Sequence, residues 1–342
     1  MTISLESIPR FTAAQALAVA ERAYGIGGHV SELPSERDQN FSIEEPGGRK
    51  YVLKIANRDD VPAFLEFQNQ AMRRVASAVR DCEVQHIVPT RTGADMSALR
   101  DRVSGVDHRV RVLTWIDGEV LAKCRPRAAA LFDSIGACMA GIDAALGNFA
   151  HPAMHRVLQW DLRHAGLARD KSALLPRARR ARVERAFADW ERIDWTRLRH
   201  GVIHGDANDY NVLVQGDRMS GLLDFGDMVY SAIVCDLAIA LAYAMFYEQN
   251  PLARAQTLIR GYHRRNPLDE SEQRVLFPLV LARLCASVCY SAHNRARTPD
   301  DVYQVVSEAA AWDLLDKLES HSTDTACAMI QEACATAGVV PS

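Results

Sequence analysis

The chain has 342 residues, 48% of them hydrophobic and 24% charged, proportions that exclude global disorder. A formal net charge of −3 and a pI near 6.4 give no bulk attraction to nucleic acid or to an anionic membrane. Eight cysteines are scattered through mostly apolar runs and complete no zinc spacing, so reduced, buried thiols and a cytoplasmic setting are expected.

The chain opens without a basic segment leading into an apolar one, so no secretory signal is expected. Residues 12–24 predict a helix, with Thr12 placed to cap its start and Gly25 at its end. Runs at 29–33, 39–44 and 50–56 predict strands, separated by Pro34-Ser35-Glu36-Arg37-Asp38 and by Pro46-Gly47-Gly48. Residues 61–79 predict a helix with Phe64, Leu65, Met72 and Val75 as its apolar positions, and strands return at 87–90, 96–100 and 110–115. After Asp117-Gly118 the texture changes, with helices predicted at 131–146, 160–169 and 177–190. Further helices are predicted at 233–247, 253–266, 271–297 and 302–338, the last one broken. The most apolar stretch, 233–246, is interrupted by Asp236 and is too short to predict a membrane span. The pattern is α+β: a small N-terminal lobe (1–112) of five antiparallel strands with a helix, a hinge at 113–117, and a mostly helical C-terminal lobe (118–342).

Within the helical half lies His204-Gly205-Asp206-Ala207-Asn208-Asp209-Tyr210-Asn211-Val212-Leu213-Val214, followed by Gly221-Leu222-Leu223-Asp224-Phe225-Gly226-Asp227. Asn211 stands five positions after Asp206, and Asp224 thirteen beyond that. The apolar runs at 212–214 and 221–223 predict a hairpin that brings Asn211 and Asp224 to the same end of two neighbouring strands. Asp206 falls in the loop just before. Oxygen ligands so placed suit Mg²⁺, a hard cation that takes one or two protein groups and leaves the rest to phosphate and water. Asp236, inside Val234-Cys235-Asp236-Leu237-Ala238, is a charge that is costly to bury unless it is hydrogen-bonded.

The two spaced motifs resemble the protein-kinase catalytic loop and its Asp-Phe-Gly, with His-Gly-Asp in place of His-Arg-Asp. That form is similar to the aminoglycoside phosphotransferase family, which also holds choline, homoserine and hydroxylysine kinases. The resemblance runs from about residue 33 to 297 and includes Val52-Leu53-Lys54-Ile55-Ala56-Asn57, Glu66-Phe67-Gln68-Asn69-Gln70 and Trp160-Asp161-Leu162. It implies a two-lobe protein-kinase-like fold with Asp206 as catalytic base and Asn211 and Asp224 holding Mg²⁺. His204 and Asp236 are implied as supports of the catalytic loop. Lys54 is implied on the nucleotide phosphates, aimed by Glu66, the only acid between Asp60 and Asp81. The phosphate-covering loop falls on 33–41, which lacks Gly-x-Gly-x-x-Gly and offers Ser35 as a contact. The base of ATP or GTP falls against the main chain around Thr114 and Ile116.

Few residues separate Asp224 from the next helix and no Ala-Pro-Glu follows, so there is no protein-kinase activation segment and the acceptor is a small molecule. Asp227, Asp161 and Trp160 are candidates for holding an amine on the acceptor side; a helix-capping Asp161 and a core Trp160 are the alternatives. The helix carrying Arg283 and Tyr290 is the next place to seek an acceptor site. The resemblance implies transfer of a nucleotide γ-phosphate to the hydroxyl of an amino alcohol or hydroxylated amino acid, with hydroxylysine favoured. An aminoglycoside, homoserine or choline-type kinase is the alternative. A catalytically inactive module on the same fold would be marked by loss of Lys54, Asp206, Asn211 or Asp224, and all four are present. Neither nucleic acid nor membrane is expected as a partner, and the Arg-rich 177–190 helix is expected to be a solvated face.

Overall fold

Thr12 starts helix α1 (Ala13–Tyr24): its hydroxyl accepts from the Gln15 amide at 3.3 Å while Gln15 Oε1 accepts from the Thr12 amide at 2.8 Å. The structure, a computed structural model, describes residues 8–35, 37–297 and 306–338. Glu36 in the expected phosphate loop, and 302–305 at the start of the last predicted helix, lie outside the described residues. The chain divides into two units, one of residues 1–77, 83–117 and 151–153, the other of 78–82, 118–150 and 154–342.

In the first unit, β1 (His29–Leu33), β2 (Gln39–Glu44), β3 (Lys50–Ile55), β4 (Ile87–Val88), β5 (Ser97–Arg100) and β6 (Asp107–Thr114) build one antiparallel sheet. Its order is β1-β2-β3-β6-β4, with β5 also on β6. The sheet has six strands, one for each of the six runs read from the sequence, where the lobe was expected to hold five. The eight-residue β6 is long enough to pair β4 at Val112 and Leu113 and β5 from Asp107 to Val110. Alternation along β2 turns Phe41 and Ile43 inward, where they meet Leu53, Ile55, Val110, Val112 and the Ala16–Val19–Ala20 face of α1. Each large apolar side chain fully buried here contributes about 1.5–3 kcal/mol. Helix α2 (Pro62–Ala78) buries Phe64, Leu65, Phe67, Met72 and Val75.

The second unit holds α3 (Ala129–Leu146), α4 (Arg177–Glu191), α5 (Val234–Ala244), α6 (Pro251–His263), α7 (Glu270–Arg297), α8 (Glu308–Leu318) and α9 (Thr323–Ala335). Residues 160–169 are not one helix but a 3-10 turn, Leu162–His164, and a short helix, Gly166–Arg169, because the Asp161 side chain caps a new start at Arg163 N. Helices α3 and α6 approach backbone to backbone at two glycines. A Cβ at Gly136 would lie 2.0 Å from the Leu258 carbonyl oxygen, and one at Gly261 would lie 2.2 Å from that of Asp133. Helices α3 and α7 are long and apolar enough to cross a membrane, and most of the apolar window of each is buried inside the protein.

Five short strands complete this unit: β7 (Glu119–Val120), β8 (His200–Ile203), β9 (Val212–Gln215), β10 (Arg218–Leu222) and β11 (Val229–Ala232). The β9–β10 hairpin turns at Gly216-Asp217 and carries a bulge between Leu213 and Val214. Strand β7 pairs the other edge of β9, and β8 pairs β11. All eight cysteines are free.

Candidate active site

Strand β8 ends at Ile203, and the loop from His204 to Asn211 returns into β9. Asp236, fully buried on α5, accepts from the His204 amide at Oδ2 and from the Gly205 amide at Oδ1, both at 2.8 Å. A buried carboxylate that takes two main-chain N–H groups is stabilised in place and fixes the loop it holds. Burial holds the His204 imidazole below its ordinary pKa, hence neutral. Its Nδ1 accepts from the Asp206 amide at 3.3 Å, so Nε2 carries the hydrogen and donates to the Leu223 carbonyl at 3.1 Å. Both ring nitrogens are engaged, which leaves His204 no proton to exchange. Gly205 sits at φ +81°, and a Cβ there would lie 2.5 Å from the Asp227 carbonyl oxygen, so only glycine fits between His204 and Asp206.

The Asp206 carboxylate is held from both sides. Arg283 Nη2, from α7, donates to Oδ1 at 2.9 Å; Asn208 Nδ2 and Asn211 Nδ2 donate to Oδ2, each at 2.9 Å. Burial pushes the Asp206 carboxyl above its ordinary pKa and the Arg283 charge opposes that rise. Asn208 Oδ1 also accepts from the amides of Tyr210 (2.8 Å) and Asn211 (3.0 Å), closing the loop on itself.

The hairpin register sets Val212 opposite Leu222, and the Leu223 amide donates to the Asn211 carbonyl at 2.9 Å, so Asn211 lies beside the residue preceding Asp224. Asp224 takes a left-handed backbone (φ +56°) that is uncommon for aspartate, and its Oδ1 accepts from the Gly226 amide at 3.1 Å. With Nδ2 of Asn211 turned to Asp206, its Oδ1 is the atom left to face a cation. Among the described residues no group of three or more His, Cys, Asp or Glu forms a metal cage. A pair of hard oxygen donors, one neutral and one charged, fits Mg²⁺ completed by phosphate. Asp227 is half-buried on the turn that follows, and Arg156 donates to the carbonyls on either side of it, Gly226 at 2.6 Å and Met228 at 3.1 Å.

Beneath Asp236 lies a second acid. Asp143, on α3, is buried, and its Oδ2 accepts from the Tyr262 hydroxyl at 2.6 Å. Burial first, and then the Asp236 charge, hold its pKa well above the carboxylate range. Asp143 is thereby pushed toward its neutral, protonated form.

In the first unit Lys54 is buried on β3, between Asn40 and Arg111 on the flanking strands. One carboxylate beside it is Asp38, at 3.8 Å, while Glu66 is exposed on α2. The inward stripe of α2 runs through Phe64, Leu65, Phe67, Gln68, Asn69 and Met72, which turns Glu66 out to solvent. Asp38 comes from the loop before β2. Ser35 is exposed in that loop. The Thr114 main chain is engaged: its amide donates to the His86 carbonyl at 2.9 Å and its carbonyl accepts from Gln85 Nε2 at 3.2 Å.

Asp161 stands where the capping alternative places it, at the start of the 3-10 turn Leu162–His164. It is buried with its oxygens taken by Ser231 Oγ (2.7 Å), the Arg163 amide (3.0 Å) and His164 Nδ1 (3.2 Å). Trp160 is half-buried with its ring against the Arg283 guanidinium at 4.7 Å and edge-on to Tyr290 at 4.8 Å. The contacts of Arg283 and Asn208 with Asp206 were not predicted. Arg283 carried a signal all the same, since it interrupts the apolar run Leu279-Val280-Leu281-Ala282-Arg283-Leu284 just as Asp236 interrupts its own.

A sheet-rich unit with a buried strand lysine, and a helical unit with a clamped Asp206 loop and a hairpin to Asp224, define a kinase-like phosphotransferase. The phosphotransferase enzyme family (APH) matches residues 29–274, and the chain belongs to that family. Hydroxylysine kinase of Mus musculus is 30% identical over 340 residues, spanning 91% of this chain and 90% of that protein. Homoserine kinase of Nitrobacter winogradskyi is 27% identical over 281 residues, 78% of this chain and 80% of that one. The structure of a microcompartment-associated aminopropanol kinase shares the fold with a TM-score of 0.71 at 16% identity, covering 90% of this chain and 98% of that chain. The chain is thus an enzyme, a small-molecule kinase with a hydroxyl group as acceptor and a nucleotide as phosphoryl donor.

Proposed function

We propose that this kinase phosphorylates the hydroxyl of a small amine-bearing alcohol, with hydroxylysine as the favoured acceptor and Asp206 as the general base. The observation that carries the assignment is the Asp206 carboxylate clamped by three donors beside the Asn211–Asp224 hairpin end. In this reaction the acceptor oxygen bonds to the γ-phosphorus, and the bond from phosphorus to the bridging oxygen breaks and leaves with the nucleoside diphosphate. The hydroxyl proton passes to Asp206 and then to solvent. Asn211 Oδ1 and the Asp224 carboxylate would hold Mg²⁺, which when bound neutralises charge on the phosphates.

Lys54 serves the phosphates with Asp38 as its carboxylate, Ser35 is a further phosphate contact, and the Ile116 main chain receives the base of ATP or GTP. Asp206, Asp224 and Asp227 put three acids around one loop. Arg283 already meets the Asp206 charge, and a metal ion and an acceptor ammonium would add to the counter-charges there, with Trp160 as an adjacent wall. We assign nucleotide binding to 1–112, a hinge to 113–117 and catalysis to 118–342, in a cytoplasmic protein with reduced thiols. Relatives named hydroxylysine kinase, similar over nine-tenths of both chains, support the acceptor. Those named homoserine kinase supply the rival.

The test is a coupled nucleotide-turnover screen of hydroxylysine, homoserine, choline, aminopropanol and aminoglycosides with ATP and with GTP. Hydroxylysine should give the highest kcat/KM. A higher value for another acceptor would replace it, and no turnover with any of them would remove the general-base assignment with it.

A further inference from the structure

Arg283 is a full charge placed 2% exposed in the middle of α7, where a leucine or methionine would pack at no electrostatic cost. Desolvating a guanidinium costs several kcal/mol, offset only by well-aimed partners. Its partners are few and specific. Nη2 donates to Asp206 Oδ1 at 2.9 Å and Nη1 to the Trp160 carbonyl at 3.1 Å, while the guanidinium lies 4.7 Å from the Trp160 ring and 5.3 Å from the Tyr243 ring. Nε, also buried, has no hydrogen-bond partner among the described residues. The group is thus fixed by two rings and one carbonyl, with Asp206 as the carboxylate it hydrogen-bonds.

A carboxylate offers about four lone-pair positions, two on each oxygen. On Asp206 the two asparagines occupy both positions of Oδ2, and Arg283 occupies one of Oδ1. The single open position is on Oδ1, the oxygen that Arg283 holds.

We propose that Arg283 is a positioning residue for phosphoryl transfer. By holding Oδ1 it sets the plane of the Asp206 carboxylate, so that the open lone pair meets the acceptor hydroxyl and receives its proton as the phosphorus–oxygen bond forms. This rests on Asp206 being the base. Without Arg283 only Oδ2 is held, by the two asparagines, and Oδ1 is free to swing about that anchor; a misplacement of about 1 Å commonly costs on the order of 10²-fold in rate.

The experiment compares wild type, Arg283→Ala, Arg283→Lys, Asp206→Asn and the Asp206→Asn/Arg283→Ala double variant, each with thermal melting, nucleotide binding and steady-state kinetics. Arg283→Ala should lower kcat by roughly 10²-fold with nucleotide affinity within about twofold of wild type. Millimolar guanidinium ion should restore part of that loss, and Arg283→Lys, which keeps one charged donor, should lose less than the alanine variant. Because Arg283 acts through Asp206, the double variant should be no slower than Asp206→Asn. Should the alanine variant fail to fold, the lysine variant and its own double with Asp206→Asn carry the same comparison. Wild-type kcat in a folded Arg283 variant, a loss that multiplies that of Asp206→Asn, or a lowered melting temperature with kcat intact each overturns the positioning role. Full activity of Asp206→Asn instead removes the base on which it rests.

Discussion

Asp236→Asn tests the foundation of the site. In the native protein two buried amides, His204 and Gly205, each donate to a separate Asp236 oxygen at 2.8 Å. Asparagine keeps one acceptor and turns an NH₂ group against the other amide, donor facing donor. One buried N–H is left unsatisfied, at about 1–3 kcal/mol, and the remaining bond loses its charge assistance. The net loss is roughly 2–3 kcal/mol, which in a chain of this size corresponds to a fall of about 3–4 °C in Tm. The same change releases the Asp206 loop, so kcat should fall by about 10²-fold while nucleotide affinity changes little. Differential scanning calorimetry and steady-state kinetics on the purified variant read both. Asp236→Ala, which abandons both amides, should melt lower still. An Asp236→Asn protein with wild-type Tm and kcat would refute the supporting role and the reasoning about buried donors behind it.

Asp206→Asn should lose about 10²–10⁴-fold in turnover and still bind nucleotide, measured by fluorescence titration beside the kinetic assay. Asp161→Asn should lower Tm and leave the acceptor KM unchanged, because its oxygens are spent on Ser231, Arg163 and His164; a raised KM with unchanged melting would return Asp161 to the acceptor site. Asp38→Asn should raise the nucleotide KM severalfold and Glu66→Ala should not, since Lys54 lies near the first and not the second; equal effects would contradict the pairing. Asp143 keeps its proton when folded and loses it on unfolding above its ordinary pKa of 3.8, so wild-type stability falls as pH rises through and beyond that value. Asp143→Asn, which mimics the neutral acid, should therefore gain in Tm over wild type from pH 4.5 to 7.5, by about the same scale as the other estimates; a gap that narrows with pH would show Asp143 ionised in the native state.

Sequence alone determined the features that depend on a few neighbouring residues. Thr12 and Gln15 cap α1, the alternation in β2 turns Phe41 and Ile43 inward, and a Gly-containing turn closes the β9–β10 hairpin, each through backbone geometry and periodicity. The α+β architecture followed from those elements in order. Asp236 was legible through the cost of burying a charge, a property of the residue and its run that needs no knowledge of the partner.

Only the tertiary structure decided which groups meet. Arg283 and Asp206 are 77 residues apart and are joined by the packing of α7 beside the loop. The upward push on the Asp143 pKa exists only because α3, α5 and α6 close around it. The choice of Asp38 over Glu66 at Lys54 turned on which face of α2 is buried, and Asp161 became a cap because Ser231 and His164 arrived at its oxygens. Local geometry is set by short-range sterics and hydrogen bonding within a turn or a strand. The pairing of distant charges is set by the desolvation and close packing of elements that no single stretch of chain contains.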